Sequence, residues 1–168
     1  MDWKLYARTD RYYVKEFEAD TNSNFFCLLD VSRSMSYEGT GIAKLDYARF
    51  LAACLTYFAR EQRDRVGLAT FDQDIVDYVP PSAKHLEVIL HTLNRIEPAQ
   101  AKRGELAPAL VRVADRLRRR GIVALISDLY EEPEAIMEAV KPLRARGHDL
   151  MVFHLLDPTE IDFPFTEA

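Results

Sequence analysis

"CLLDVSRSMS", residues 27–36, decides how this chain is read. Cys27, Leu28 and Leu29 close an apolar run that begins at Phe25. The run empties into Asp30, Ser32, Ser34 and Ser36, one oxygen-bearing side chain at every second position. A short, continuously apolar run is the signature of a strand covered on both faces. A loop that leaves such a strand and curls toward a helix turns alternate side chains inward. Asp30, Ser32 and Ser34 then present one carboxylate and two hydroxyls. Hard oxygens of this kind suit Mg²⁺ or Mn²⁺, which prefer octahedral oxygen ligands and keep several waters. The same residue types also make good turns and caps by bonding to nearby backbone. Spacing alone leaves both readings standing.

Downstream, the pattern alternates between strand and helix. From Ile42 to about Arg60 the period is helical, with Tyr47, Leu51, Cys54, Leu55 and Phe58 as the apolar stripe and Lys44, Arg49 and Arg60 away from it. "RVGLATF" (65–71) reads as a strand. "IVDYV" (75–79) follows after only Asp72, Gln73 and Asp74, which implies an antiparallel hairpin. Pro80 and Pro81 are expected to end that strand, and Ser82 to cap a helix carrying Leu86, Ile89, Leu90, Leu93 and Ile96. A further helix over 105–119 places Leu106, Leu110, Val113 and Leu117 on one face and ends in "RLRRRG" (116–121), a basic last turn with glycine beyond it. "IVALISD" (122–128) then repeats the opening theme, a buried strand running into Ser127 and Asp128. Pro133 suits the first turn of another helix, which Pro142 should kink or split. "HDLMVFHLL" (148–156) is the last strand. The alternation predicts an α/β fold: a mostly parallel sheet, one antiparallel edge strand, and helices on both faces. Sites in such sheets gather beyond the carboxyl ends of the strands. The loops at Asp30 and Asp128 are expected to share that edge.

Composition narrows the function. The chain has 168 residues, enough for one domain with its own core. Its 22 basic and 27 acidic residues give a net charge of −5, which argues against general nucleic-acid binding. Cys27 and Cys54 both lie in apolar stretches and read as small core residues, in keeping with a cytoplasmic protein. His85, His91, His148 and His154 show no metal-ligand spacing. No run is long and apolar enough for a membrane segment, and no leader opens the sequence. Residues 1–24 read as an amino-terminal extension, the end of a longer region, and residues 25–168 as the domain itself.

"DVSRSMS" (30–36), "FD" (71–72) and "ISDL" (126–129), each after an apolar strand, resemble a von Willebrand A-type domain. "DWKLYARTDRYYVKEFEAD" (2–20) and "LRARGHDLMVFHLLDP" (143–158) resemble more specifically the bacterial domain-of-unknown-function family fifty-eight. Members of that family are often encoded beside MoxR-type AAA+ ATPases. The resemblance implies a metal-ion-dependent adhesion site with Asp30, Ser32 and Ser34 in the first metal loop and Asp128 as the distant acidic ligand. It also implies a threonine near residue 105. This chain reads "RGEL" (103–106) there, so Gly104 stands where the hydroxyl is expected. The resemblance therefore implies a degenerate site that binds Mg²⁺ or Mn²⁺ weakly or not at all.

Three functions follow. The first is a non-catalytic protein-interaction module whose cation accepts a carboxylate from a partner, here a MoxR-type AAA+ ATPase or its client during assembly or maturation. The second is a metal-assisted phosphatase or hydrolase. Against it, the sequence has no nucleophilic Asp-x-Asp pair at the end of the opening strand, no G-x-S-x-G elbow, no phosphate loop, and no general base at fixed spacing from Ser32 or Ser34. The third is a metal-free structural scaffold, which the missing threonine favours.

Overall fold

The computed structural model describes residues 23–39, 41–97 and 106–162. Five strands form one sheet: β1 (Asn24–Asp30), β2 (Arg65–Phe71), β3 (Ile75–Ser82), β4 (Gly121–Ser127) and β5 (Asp149–His154). Their spatial order is β3-β2-β1-β4-β5. β1 pairs in parallel with β2 and β4, and β4 pairs in parallel with β5. β3 is the antiparallel edge strand expected from the short link after Phe71.

The opening apolar run is central because it is covered twice. Phe25, Cys27 and Leu29 pack with α1 (Lys44–Glu61) and α2 (Leu86–Arg95), while Phe26 and Leu28 pack with α3 (Leu106–Arg116) and α4 (Pro133–Ala145). Successive strand residues point to opposite faces, so only a strand between two helical layers has to be apolar at every position. The face of α3 matches its sequence period, with Leu106, Leu110 and Val113 buried, and Leu117 just past its end buried too. Glycine meets a structural demand at Gly147, just past α4, where φ is +79° and a left-handed stop ends the helix.

Several local expectations are corrected. α1 buries Leu45, Ala48, Ala52, Thr56 and Ala59, while Tyr47 and Phe58 of the expected stripe are exposed, Leu51 and Leu55 are only partly buried, and Phe50 is 71% exposed. Alanines let the helix lie close to the sheet, and a reading weighted by side-chain size picks the wrong face. Cys54 lies on that outer side and is exposed, whereas Cys27 is buried.

β3 runs through Pro80 and Pro81 instead of stopping before them. The prolines fall where the β2–β3 register shifts between Val66 and Leu68, on an edge strand whose outer side has no ladder to lose. Gly67 faces this irregularity, and a Cβ there would lie 2.6 Å from the Phe26 ring and 2.9 Å from Pro81 N. Ser82 closes the turn before α2 by accepting from the Lys84 N–H at 3.2 Å, and His85 is the residue at the helix start. α3 ends at Arg116, and Gly121 belongs to β4. α4 continues unbroken across Pro142, held on both sides of it by buried Ala139, Val140 and Leu143. The segment 2–20 that carries part of the family resemblance lies outside the described residues.

Candidate functional site

β1, β2 and β4 run parallel, so their carboxyl ends meet on one edge. A cleft opens there, lined by Asp30, Ser32 and Ser34 from the first loop, Asp72 after β2, and Asp128 after β4. The two aspartates expected on a common edge are on it.

Each member is held by its own local bonds. Ser32 N–H donates to Asp30 Oδ1 at 2.8 Å, an Asx-type turn that directs the chain into the 3-10 turn Arg33–Ser36. Ser127 Oγ donates to Asp30 Oδ2 at 2.5 Å. Asp30 is thus tied to the ends of both central strands. Burial pushes its carboxyl above the ordinary value, the bonds from Ser127 and Ser32 pull it back, and the nearby Asp128 charge adds to the rise. The Ser32 and Ser34 hydroxyl oxygens lie 3.1 Å apart. Neighbouring oxygens of a Mg²⁺ octahedron with 2.0–2.1 Å bonds are about 3 Å apart, so this spacing suits two adjacent ligands.

Asp128 has a different partner. Lys44 Nζ lies 2.9 Å from Asp128 Oδ2 and 2.8 Å from Glu160 Oε1 of the short α5 (Pro158–Asp162). Burial alone would lower the lysine's proton affinity. The Glu160 and Asp128 carboxylates more than offset this and hold the ammonium above its ordinary value. Asp128 is therefore charge-compensated by the protein itself. The carboxyl-terminal segment reaches the same loop again, with Asp157 Oδ2 accepting from the Gly39 N–H at 3.2 Å and Tyr37 OH lying 3.0 Å from Thr159 Oγ1.

Asp72 is 8% exposed, and among the described residues its Oδ1 has no hydrogen-bond partner. Leu129, next to Asp128, adopts a left-handed conformation with φ +48°. Such a conformation costs of order 1–3 kcal/mol for a residue other than glycine. The Leu129 N–H donates to Ser127 Oγ at 2.9 Å, which helps to hold it. Glu131, just beyond, accepts from the Leu106 N–H at 2.6 Å and so caps α3. Gly104 lies outside the described residues.

Among the described residues, no group of three or more His, Cys, Asp or Glu side chains is placed to hold a metal ion. A cation here would depend on serine hydroxyls. The donor chemistry of Asp30, Ser32 and Ser34 fits a hard cation, and the partnerless Asp72 oxygen adds a buried negative atom to the same cleft. Asp128 is brought to the cleft, but its Oδ2 is committed to Lys44. Lys44 and Glu160 escaped the sequence reading because a salt bridge between residues 116 apart leaves no periodic trace. Asp72 carried one signal, its place directly after an apolar strand.

Sheet order, antiparallel edge strand and the loop chemistry at the end of β1 together define a von Willebrand A-like α/β domain. A family model described as "Protein of unknown function DUF58" matches residues 1–167, and the chain belongs to that family. Among curated relatives, it is 29% identical over 167 residues to Uncharacterized protein Rv1480 of Mycobacterium tuberculosis, covering 98% of this chain and 52% of that protein. Uncharacterized protein Mb1516 of Mycobacterium bovis matches to the same extent, at 29% identity and 52% of its length. The chain thus spans about half the length of the curated relatives it matches. Its fold is similar to that of an aerotolerance-related membrane protein from Bacteroides fragilis solved with multiple mutations to serines (TM-score 0.64, 21% identity, 77% of this chain and 66% of that one). It is also similar to the hypothetical protein BatB from Bacteroides thetaiotaomicron (TM-score 0.65, 20% identity, 77% and 65%). Among the described residues, no helix is long and apolar enough to cross a membrane.

Proposed function

We propose that this domain is a non-catalytic protein-interaction module. Asp30, Ser32 and Ser34 hold Mg²⁺ or Mn²⁺ weakly at the carboxyl edge of the sheet, and an open position on the cation accepts a carboxylate from a partner protein. The observation that carries this reading is the pair of hydroxyls 3.1 Å apart beside a buried, doubly hydrogen-bonded Asp30. That arrangement supports ligation rather than nucleophilic attack. The Ser32 and Ser34 hydroxyls face each other, and the carboxylate beside them, Asp30, is already engaged by the Ser32 N–H and by Ser127 Oγ.

We further propose, from the family resemblance, that the partner is a MoxR-type AAA+ ATPase or its client, met in the cytoplasm during assembly or maturation. Co-purification with an ATPase of that type encoded beside this gene tests it. The expected result is capture in Mg²⁺ that is lost with a chelator and in Asp30→Ala. Turnover of a phosphoester or ester that depends on Asp30 would overturn the non-catalytic reading.

Besides the missing threonine, a metal-free scaffold has one structural observation in its favour. Lys44 already supplies a cation to Asp128. A wild-type protein whose melting temperature ignores millimolar Mg²⁺ and Mn²⁺ would favour it.

A further inference from the structure

We infer that Asp72 is a ligand of the cation in this cleft, the second carboxylate beside Asp30. The inference rests on the cation reading above and names a residue that the resemblance leaves without a role.

The three cleft aspartates differ in how their charge is met. Asp30 accepts from the Ser32 N–H on one oxygen and from Ser127 Oγ on the other. Asp128 Oδ2 receives the Lys44 ammonium. Asp72 is 8% exposed, and its buried Oδ1 receives no hydrogen bond from the described residues. A buried acceptor without a donor is costly, and more so when it is charged. Native structures keep few such groups, and each calls for a cause.

The position of Asp72 is fixed rather than accidental. Asp30 is in register with Phe71, and the Val31 N–H donates to Phe71 O at 2.9 Å, which carries the β1–β2 ladder one step past Asp30. Asp72 therefore leaves β2 directly beside the Asp30 loop. Its own N–H donates to Asp74 O at 3.0 Å and sets the tight turn into β3. The side chain lines the same cleft as Asp30, Ser32 and Ser34. A carboxylate oxygen held there without a donor is a hard, negative ligand, and a divalent cation compensates it better than a neutral water does. Asp128, in this account, holds Lys44 in place.

The test is a Mn²⁺ titration followed by the spin-resonance signal of free Mn²⁺ and, in parallel, by thermal melting. It uses the wild type, Asp72→Asn, Asp72→Ala and Asp30→Ala. Binding lost in Asp30→Ala identifies the cleft as the site. The expected result is Mn²⁺ affinity weakened about tenfold or more in both Asp72 variants. Without Mn²⁺, Asp72→Asn should melt at or above the wild type, because the amide keeps the side chain's shape and can donate where a carboxylate only accepts. Wild-type Mn²⁺ affinity in both Asp72 variants overturns this assignment and leaves the cation reading intact. No Mn²⁺ binding by the wild type overturns both.

Discussion

Lys44 Nζ sits 2.9 Å from Asp128 Oδ2, with both side chains almost fully buried, and so joins the start of α1 to the end of β4 across the site. Glu160 completes the bridge from α5 at 2.8 Å. The pair sets a positive charge against Asp128, one of the acidic residues that line the cleft. Its strength depends on both partners being present. Removing one strands the other in a low-dielectric setting.

Lys44→Met should therefore destabilise the fold by roughly 3–5 kcal/mol, the usual cost of breaking a buried pair from one side. Adding Asp128→Asn to it should recover much of that loss. Urea unfolding of the single and double variants measures the coupling. Additive losses would mean that the two side chains do not depend on each other.

The inner face of α1 gives a second prediction. Ala52 is fully buried between helix and sheet, and Phe50 is exposed. Ala52→Leu should cost about 1–3 kcal/mol or more by overpacking. Phe50→Ala should stay within about 0.5 kcal/mol, as surface changes usually do. Denaturant midpoints of the two variants decide which face packs. The reverse order would restore the stripe of Tyr47, Cys54 and Phe58.

Cys27 and Cys54 should separate chemically. Burial pushes the Cys27 thiol up to about 12, so alkylating reagents near pH 8 should modify Cys54 and spare Cys27 until the protein unfolds. The sign for stability follows. The unfolded thiol ionises near its ordinary 9.0 while the folded one keeps its proton, so the folded state binds more protons and stability falls between those values as pH rises. By pH 10 the loss is about 1.4 kcal/mol from this group. Comparing wild type with Cys27→Ala at pH 7 and pH 10 isolates it, because the variant lacks that component.

Fold and site were legible in the sequence to different depths. β1 and β4 announced themselves because burial on two faces forces every residue to be apolar. α3 did so because large side chains mark its inner face. α1 hid its inner face because Ala48, Ala52 and Ala59 fill it and the large aromatics point outward. Pro80, Pro81 and Pro142 misled because a proline's cost depends on its surroundings, an irregular edge in β3 and a well-packed helix in α4. At the site, Asp30, Ser32 and Ser34 were visible from their local spacing, and Asp128 from its strand end. Lys44, Glu160 and the partnerless oxygen of Asp72 are products of tertiary packing, which no local pattern encodes.

The central claim is that a divalent cation sits at the carboxyl edge of the sheet on Asp30, Ser32 and Ser34. Crystals of the protein soaked in MnCl₂, measured at the manganese absorption edge, locate the ion directly. The account predicts one anomalous peak between the Ser32 and Ser34 hydroxyls and the Asp30 carboxylate, absent from crystals of Asp30→Ala. A well-ordered cleft with no peak, or a peak elsewhere that survives Asp30→Ala, would contradict it.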